Sequence, residues 1–197
     1  MRLAPVIPVL TIHDPAHARP IAEALVAGGL RALEVTLRTP AALEAMAEMA
    51  KVEGAIVGAG TVLNAADLEA SLAAGAEFIV SPGLTEPLTK AAIDAGVPFL
   101  PGVSSAGDIM RGLDLGLTHF KFFPAEAAGG RAALAALAAP FGQARFCPTG
   151  GITPGTASEW LAMPSVLCVG GSWLVSAGES DPATIRARAS FAAGLRP

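Results

Sequence analysis

The 197-residue chain contains three lysines, and one of them stands among phenylalanines in His119-Phe-Lys-Phe-Phe-Pro-Ala-Glu126. Lysine is ordinarily a solvated surface residue, because burying its charge is costly. Either this segment is an edge strand with Lys121 in water, or the amine is wanted neutral. A second polar group occurs in the β-rich run Glu34-Val-Thr-Leu-Arg-Thr39. Alternate residues of a strand share a face, so Glu34, Thr36 and Arg38 fall on one side, with Leu33, Val35 and Leu37 on the other. The same parity separates His119, Lys121 and Phe123 from Phe120 and Phe122. If the apolar sets lie under helices, Lys121, Glu34 and Arg38 share one interior. That interior has two readings. One is a buried Lys121–Glu34 ion pair without catalytic purpose, in which desolvation can exceed the Coulomb gain. In the other, burial and a neighbouring cation both disfavour an ammonium. A neutral amine can then attack a carbonyl to form a Schiff base, with a carboxylate moving protons around it. On this reading the phenylalanines help to keep the amine unprotonated.

Two glycine pairs add a possible anion site. Pro148-Thr-Gly-Gly151 and Val169-Gly-Gly-Ser172 each end a β-rich run. Glycine lets backbone N–H groups approach an anion, and a helix N-terminus following them would add its dipole. The plainer reading is two tight turns. Gly58-Ala-Gly-Thr61 and Val80-Ser-Pro-Gly83 also end such runs. Thr61 could hydrogen-bond a substrate and Pro82 could wall a pocket, or both are simple loop chemistry.

These segments need elements to position them. β-rich runs start at Val6, Ala32, Ile56, Phe78, Phe99, His119, Arg145 and Val166, at nearly even spacing. Between them lie Ala- and Leu-rich segments of helical period. In one, Leu43, Met46, Ala47 and Ala50 form a stripe. Cap–proline pairs mark helix starts at Asp14-Pro15, Thr39-Pro40, Thr153-Pro154 and Asp181-Pro182. Asn64 adds a cap with an acid three residues on, and Gly28, Gly75, Gly96 and Gly116 mark helix ends. Eight strand–helix repeats without a hairpin signal predict a parallel sheet. Eight also closes a (β/α)8 barrel, near its short limit at this length; an open doubly wound sheet is the rival. In a barrel the chemistry lies at the carboxyl ends of the strands, and the loops after strands seven and eight are the usual phosphate site. That points to a phosphorylated carbonyl substrate.

The remaining residues read as structural. His119 is expected as a core histidine near its strand's amino end, and Glu126 as a cap on the next helix. Trp160 and Trp173 are expected to pack, and Lys51 and Lys90 to face solvent. Cys147 and Cys168 lack metal-ligand spacing and read as small core residues of a reducing compartment. Hydrophobic residues make up 52% of the chain and charged residues 15%, with a formal net charge of -4. This balance leaves no basic footprint for nucleic acid or an anionic membrane. No apolar run approaches the roughly 20 residues of a membrane span, and the proline-rich start argues against a signal peptide.

Over nearly its whole length the chain resembles the class I 2-keto-3-deoxy-6-phosphogluconate (KDPG) and 4-hydroxy-2-oxoglutarate (KHG) aldolases. The resemblance is carried, in order, by EVTLRT (34–39), GAGTV (58–62), FIVSPG (78–83), PGV (101–103), KFFPAE (121–126), PTGGI (148–152) and VGGSWL (169–174). It implies a single (β/α)8 TIM-barrel domain over residues 1–197. Lys121 would be the Schiff-base lysine and Glu34 the general acid/base. Arg38 and Thr61 would hold the pyruvate carboxylate region, and Pro82 and Phe123 would line the pocket. Thr149, Gly150, Gly151, Gly171 and Ser172 would receive the phosphate end. The implied protein is a cytoplasmic homotrimer of the Entner–Doudoroff pathway, without metal or cofactor, because the iminium supplies the positive charge a metal would bring. It would cleave KDPG reversibly to pyruvate and D-glyceraldehyde 3-phosphate, with no nucleic-acid or membrane partner. The same lysine could serve KHG or the phosphogalactonate epimer instead. A phosphosugar isomerase, a phosphate-binding barrel without Schiff-base chemistry and a catalytically silent barrel are further readings. Relatives usually place a helix before strand one; a strand beginning near Val6 leaves no room for it, a departure that bears on the closure and stability of the barrel's amino end and not on its catalytic end.

Overall fold

The computed structural model describes residues 1, 3–176 and 178–195. Valine, isoleucine and leucine at alternating or continuous positions form short strands, and every pairing between them is parallel. The first sheet contains β1 (Val6–Leu10), β2 (Ala32–Thr36), β3 (Ile56–Gly60), β4 (Phe78–Val80), β5 (Phe99–Leu100) and β9 (Val169–Gly171), in the order β5-β4-β3-β2-β1-β9. The second contains β6 (Gly102–Val103), β7 (His119–Phe122) and β8 (Arg145–Pro148), in the order β6-β7-β8.

The eight expected strand positions are all present, but they form six- and three-stranded sheets rather than one eight-stranded ladder. The fifth run breaks at Pro101, which has no N–H to donate. Before the break, Ser81 N donates to Leu100 O; after it, Lys121 N donates to Pro101 O. The chain therefore changes partner strand at the proline. The eighth run joins a ladder only at Val169, but isolated bridges link Phe146 to Val166 and Thr149 to Gly170.

Helices alternate with the strands: α1 (Ala18–Ala27), α2 (Ala42–Met49), α3 (Ala65–Ala73), α4 (Glu86–Asp94), α5 (Ala106–Asp114), α6 (Gly130–Ala138), α7 (Ala157–Leu161) and α8 (Pro182–Ala193). Helix α1 packs against both α2 and α8, so the first and last strand–helix units are neighbours. Asn64, Asp181 and Asp14 cap as their side chains predict: Asn64 accepts from Asp67 N, Asp181 from Ala183 N and Thr184 N, and Asp14 from Ala16 N in a 3-10 turn. Thr39 and Thr153 do not cap. The Thr39 hydroxyl donates instead to Ile12 O, and α2 and α7 begin only at Ala42 and Ala157. The α2 stripe is also shifted: Ala42, Ala45, Met46 and Met49 are buried, while Leu43 is 38% exposed. Small alanines on that stripe let the helix approach the sheet, and Leu43 is turned outward.

The core is helix-on-sheet. Leu33, Val35, Phe120, Phe122 and Phe146 pack beneath Leu25, Met46, Ile109, Leu134 and Trp160, all fully buried. Fully burying a large apolar side chain stabilises the fold by about 1.5–3 kcal/mol. At the amino ends of the strands lies a cavity of about 590 Å³, lined by Ile7, Ala32, Ile56, Phe78, Phe99 and His119 among others. None of the residues singled out for chemistry reaches it.

Candidate active site

Strands β2 and β7 carry Glu34 and Lys121, the residues expected as acid/base and Schiff-base lysine. Phe120 and Phe122 point under the helices: the Phe120 ring lies 6.1 Å from Phe146 and the Phe122 ring 6.4 Å from Trp160. The parity of the strand then sends Lys121 to the opposite face. Its Nζ lies 3.1 Å from Glu34 Oε1, with the two residues 5% and 3% exposed. The contact is both a hydrogen bond and an ion pair, joining residues 87 positions apart. Space for it comes from glycine. A Cβ on Gly60, in the neighbouring strand β3, would collide with the Glu34 carboxylate.

The phenylalanines divide in role. Only Phe123 faces the amine, with its ring centroid 5.2 Å from Lys121 Nζ. Phe120 and Phe122 fix the strand from behind and do not surround the charge.

Arg38 departs from the expected placement. Strand β2 ends at Thr36, Arg38 N turns back to donate to Thr36 O, and the side chain is exposed rather than inside. Its Nε donates to Thr61 Oγ1 at 3.3 Å, so guanidinium and hydroxyl meet at the carboxyl end of the sheet. Thr61 has φ +61°, the only positive φ outside glycine among the described residues. A β-branched residue in the left-handed region is strained by about 1–3 kcal/mol, and such strain clusters at functional sites. Thr36 stays buried, its hydroxyl donating to Leu10 O.

Pro82 is half-buried, with its carbonyl against Gly102, where a Cβ would collide with it. Thr149 is buried, and Gly170 leaves room for its side chain as Gly60 does for Glu34. Gly150 and Gly151 adopt φ +104° and +81°, and Gly171 is buried while Ser172 is exposed. Neither glycine pair leads directly into a helix. Helix α7 starts at Ala157 and α8 at Pro182, so the expected helix dipole does not sit at these loops.

Other expectations divide as well. Lys51 and Lys90 are exposed, and Trp160 packs as expected, with the Trp173 ring edge-on to Phe191. Cys147 and Cys168 are free and buried. The hydrogen bond with Cys147, with burial, pushes the Cys168 thiol well above its ordinary value, consistent with an inert core thiol. His119 is exposed rather than in the core, next to the Thr118 hydroxyl at 3.0 Å. Glu126 does not cap α6, whose N-cap is Gly129; its carboxylate accepts from the Trp160 indole N–H. The sequence reading missed Gly60 and Gly170. A glycine within a strand, beside a polar residue of the neighbouring strand (Gly60 two positions along from the partner of Glu34, Gly170 directly bridged to Thr149), is the signal that would have found them.

The model of the KDPG and KHG aldolase family matches residues 1–187. The 2-dehydro-3-deoxy-phosphogluconate aldolase of Zymomonas mobilis is 61% identical over 196 residues, covering 100% of this chain and 94% of that protein. The crystal structure of the 2-keto-3-deoxy-6-phosphogluconate aldolase of Zymomonas mobilis ZM4 with 3-phosphoglycerate superposes with a TM-score of 0.97 at 61% identity, covering 99% of this chain and 93% of that one. A KDPG aldolase from Legionella pneumophila, with pyruvate captured at low pH as a covalent carbinolamine intermediate, gives a TM-score of 0.92 at 42% identity, covering 100% and 96%. With matching sequence and fold, the chain belongs to the KDPG and KHG aldolase family.

Proposed function

We propose that the protein is a class I aldolase that reversibly cleaves KDPG to pyruvate and D-glyceraldehyde 3-phosphate. The observation that carries this reading is the buried contact of Lys121 Nζ with Glu34 Oε1 at 3.1 Å. An ammonium in that position has a carboxylate at hand to take its proton, leaving a lone pair for attack on the C2 ketone. Addition gives a carbinolamine, and loss of water gives an iminium. Glu34, through a water, then takes the C4 hydroxyl proton. The C3–C4 bond breaks, its electron pair passes into the iminium to form an enamine, and the aldehyde leaves. Protonation at C3 and hydrolysis return pyruvate and the free amine. The carbinolamine captured in the Legionella relative is the intermediate that this route requires.

Arg38 and Thr61 hold the pyruvate carboxylate in this scheme, and Pro82 and Phe123 wall the pocket. Thr149, Gly150, Gly151, Gly171 and Ser172 receive the phosphate, with backbone N–H groups as the donors in place of a helix dipole. The scheme calls for a closed (β/α)8 barrel formed by one domain over residues 1–197. Support for closure comes from the change of partner at Pro101 and the bridges at Phe146–Val166 and Thr149–Gly170. Assembly as a homotrimer in the cytoplasm belongs to the same proposal. Among the described residues no helix is long and apolar enough to cross a membrane.

Initial rates of pyruvate release from KDPG, its phosphogalactonate epimer and KHG test the proposal. The highest kcat/KM is expected for KDPG. A folded protein that releases pyruvate from none of the three would overturn it; preference for one of the others would move the substrate and keep the chemistry.

A further inference from the structure

Glu126 is used by no step above, yet it touches both ends of the loop that carries Gly150 and Gly151. At the near end, Ala125 N donates to Thr149 O at 2.8 Å and Glu126 N to Gly150 O at 3.1 Å. At the far end, Glu126 Oε1 accepts from Trp160 Nε1 at 3.0 Å. Trp160 is fully buried in α7, held against the Phe122 ring. Between the two ties, the Glu126 side chain stands against the glycine itself. A Cβ on Gly151 would lie 2.7 Å from Glu126 Cβ and Cγ.

One residue therefore spans the loop, with its backbone on Gly150, its stem on Gly151 and its carboxylate on the helix that follows. We propose that Glu126 is a positioning residue for the phosphate end of the substrate, holding the Gly150–Gly151 loop open through its bond to Trp160. The Lys121–Glu34 pair lies on the face of β7 opposite Phe122, the residue packed against Trp160. The Arg131–Glu159 ion pair, at 2.6 Å, ties α6 to α7, but both side chains are about half exposed and it does not touch the glycines. It serves as the control.

This inference rests on the aldolase reading, and the test separates the two. Glu126→Ala, Glu126→Gln, Trp160→Phe and Arg131→Ala are compared with the parent for KDPG kinetics and for borohydride trapping of pyruvate at Lys121. Pyruvate carries no phosphate, so trapping reports the amine alone. Loss of the brace is expected to raise the KM for KDPG about tenfold in Glu126→Ala and Trp160→Phe, with kcat and trapping rate within about twofold of the parent. Glu126→Gln keeps an acceptor for the indole and restores the parent KM, and Arg131→Ala leaves it unchanged. Equal loss of trapping and KDPG cleavage in Glu126→Ala would make the role merely structural, and an unchanged KM in both brace variants would remove it; either result overturns the proposal. Failure of the parent to trap pyruvate at all would instead overturn the aldolase reading.

Discussion

All three lysines of the chain contact a glutamate, and the contacts differ in what surrounds them. Lys51 pairs with Glu48 at 2.5 Å and Lys90 with Glu86 at 2.6 Å, each three or four residues away, with the lysine side chains 61% and 62% exposed. Lys121 pairs with Glu34 at 3.1 Å, across two strands and with its side chain 6% exposed. The hydrogen bond between Glu86 and Lys90 lowers the carboxyl from its ordinary value and raises the amine. Both groups stand in water, where screening leaves such a pair little influence on stability. The interior pair has no such solvent to share its charges. Desolvating two ions can cost more than their attraction returns. The contrast teaches that a lysine–glutamate contact has chemical meaning only through its burial. Helix spacing of three or four residues accounts for the outer two pairs, whereas the inner one joins β2 to β7.

The strongest way to sharpen this contrast is at the interior lysine. Lys121→Ala is expected to reduce KDPG cleavage to the uncatalysed background, because no other amine of the described residues stands in the interior. Next is Glu34→Gln, which should lower kcat by about 10²–10⁴-fold in steady-state assays, as for a lost general acid/base. The stability of the pair is a separate matter. Glu34→Leu leaves a buried ammonium unpaired and is expected to cost about 3–5 kcal/mol in urea unfolding. The double variant Glu34→Leu, Lys121→Met should recover most of that, since it removes both charges. A double variant as unstable as the single one would mean that the pair, rather than its burial, holds the strands together.

A smaller effect is expected at the surface. Partial burial pushes the Asp108 carboxyl up, but the Ser104 amide, the Ser105 hydroxyl and amide and the Arg111 guanidinium together hold it below its ordinary value. It closes a capping box with Ser105 at the start of α5. Asp108→Ala should cost about 1 kcal/mol near neutral pH. Because the folded-state value is depressed, this contribution is fully present above the unfolded value of about 3.9 and is lost as pH falls through the folded value. The gap between parent and variant should therefore narrow in acid. The least effect belongs to Lys90→Ala, whose thermal midpoint should coincide with that of the parent. A marked drop there would break the comparison.

Much of this was legible in the sequence because strands have period two. That parity alone put Lys121 and Glu34 on faces opposite Phe120, Phe122, Leu33 and Val35, and the structure buries them so. The same rule failed at Arg38, where β2 has already ended and the backbone turns back on Thr36. Parity holds only as far as the ladder does. Strand positions were readable from spacing, but the break at Pro101, which among the described residues makes nine strands in two sheets of the expected eight, depends on which neighbour each N–H finds. Helix caps were read where an Asn or Asp side chain reaches its own first turn. At Thr39 the hydroxyl found a distant carbonyl, that of Ile12, which no local pattern reveals. The turn of Glu126 towards Trp160, 34 residues on, was hidden for the same reason.

The central claim is that the amine of Lys121 is a nucleophile. The measurement that tests it most directly is intact-mass spectrometry after pyruvate and sodium borohydride, with Lys121→Ala beside the parent. One reduced pyruvate adduct per chain is expected, mapped by peptide digestion to Lys121 and absent from the variant. A folded parent protein that takes up no adduct, or takes it up equally in the variant, would contradict it and leave Lys121–Glu34 as a buried ion pair alone.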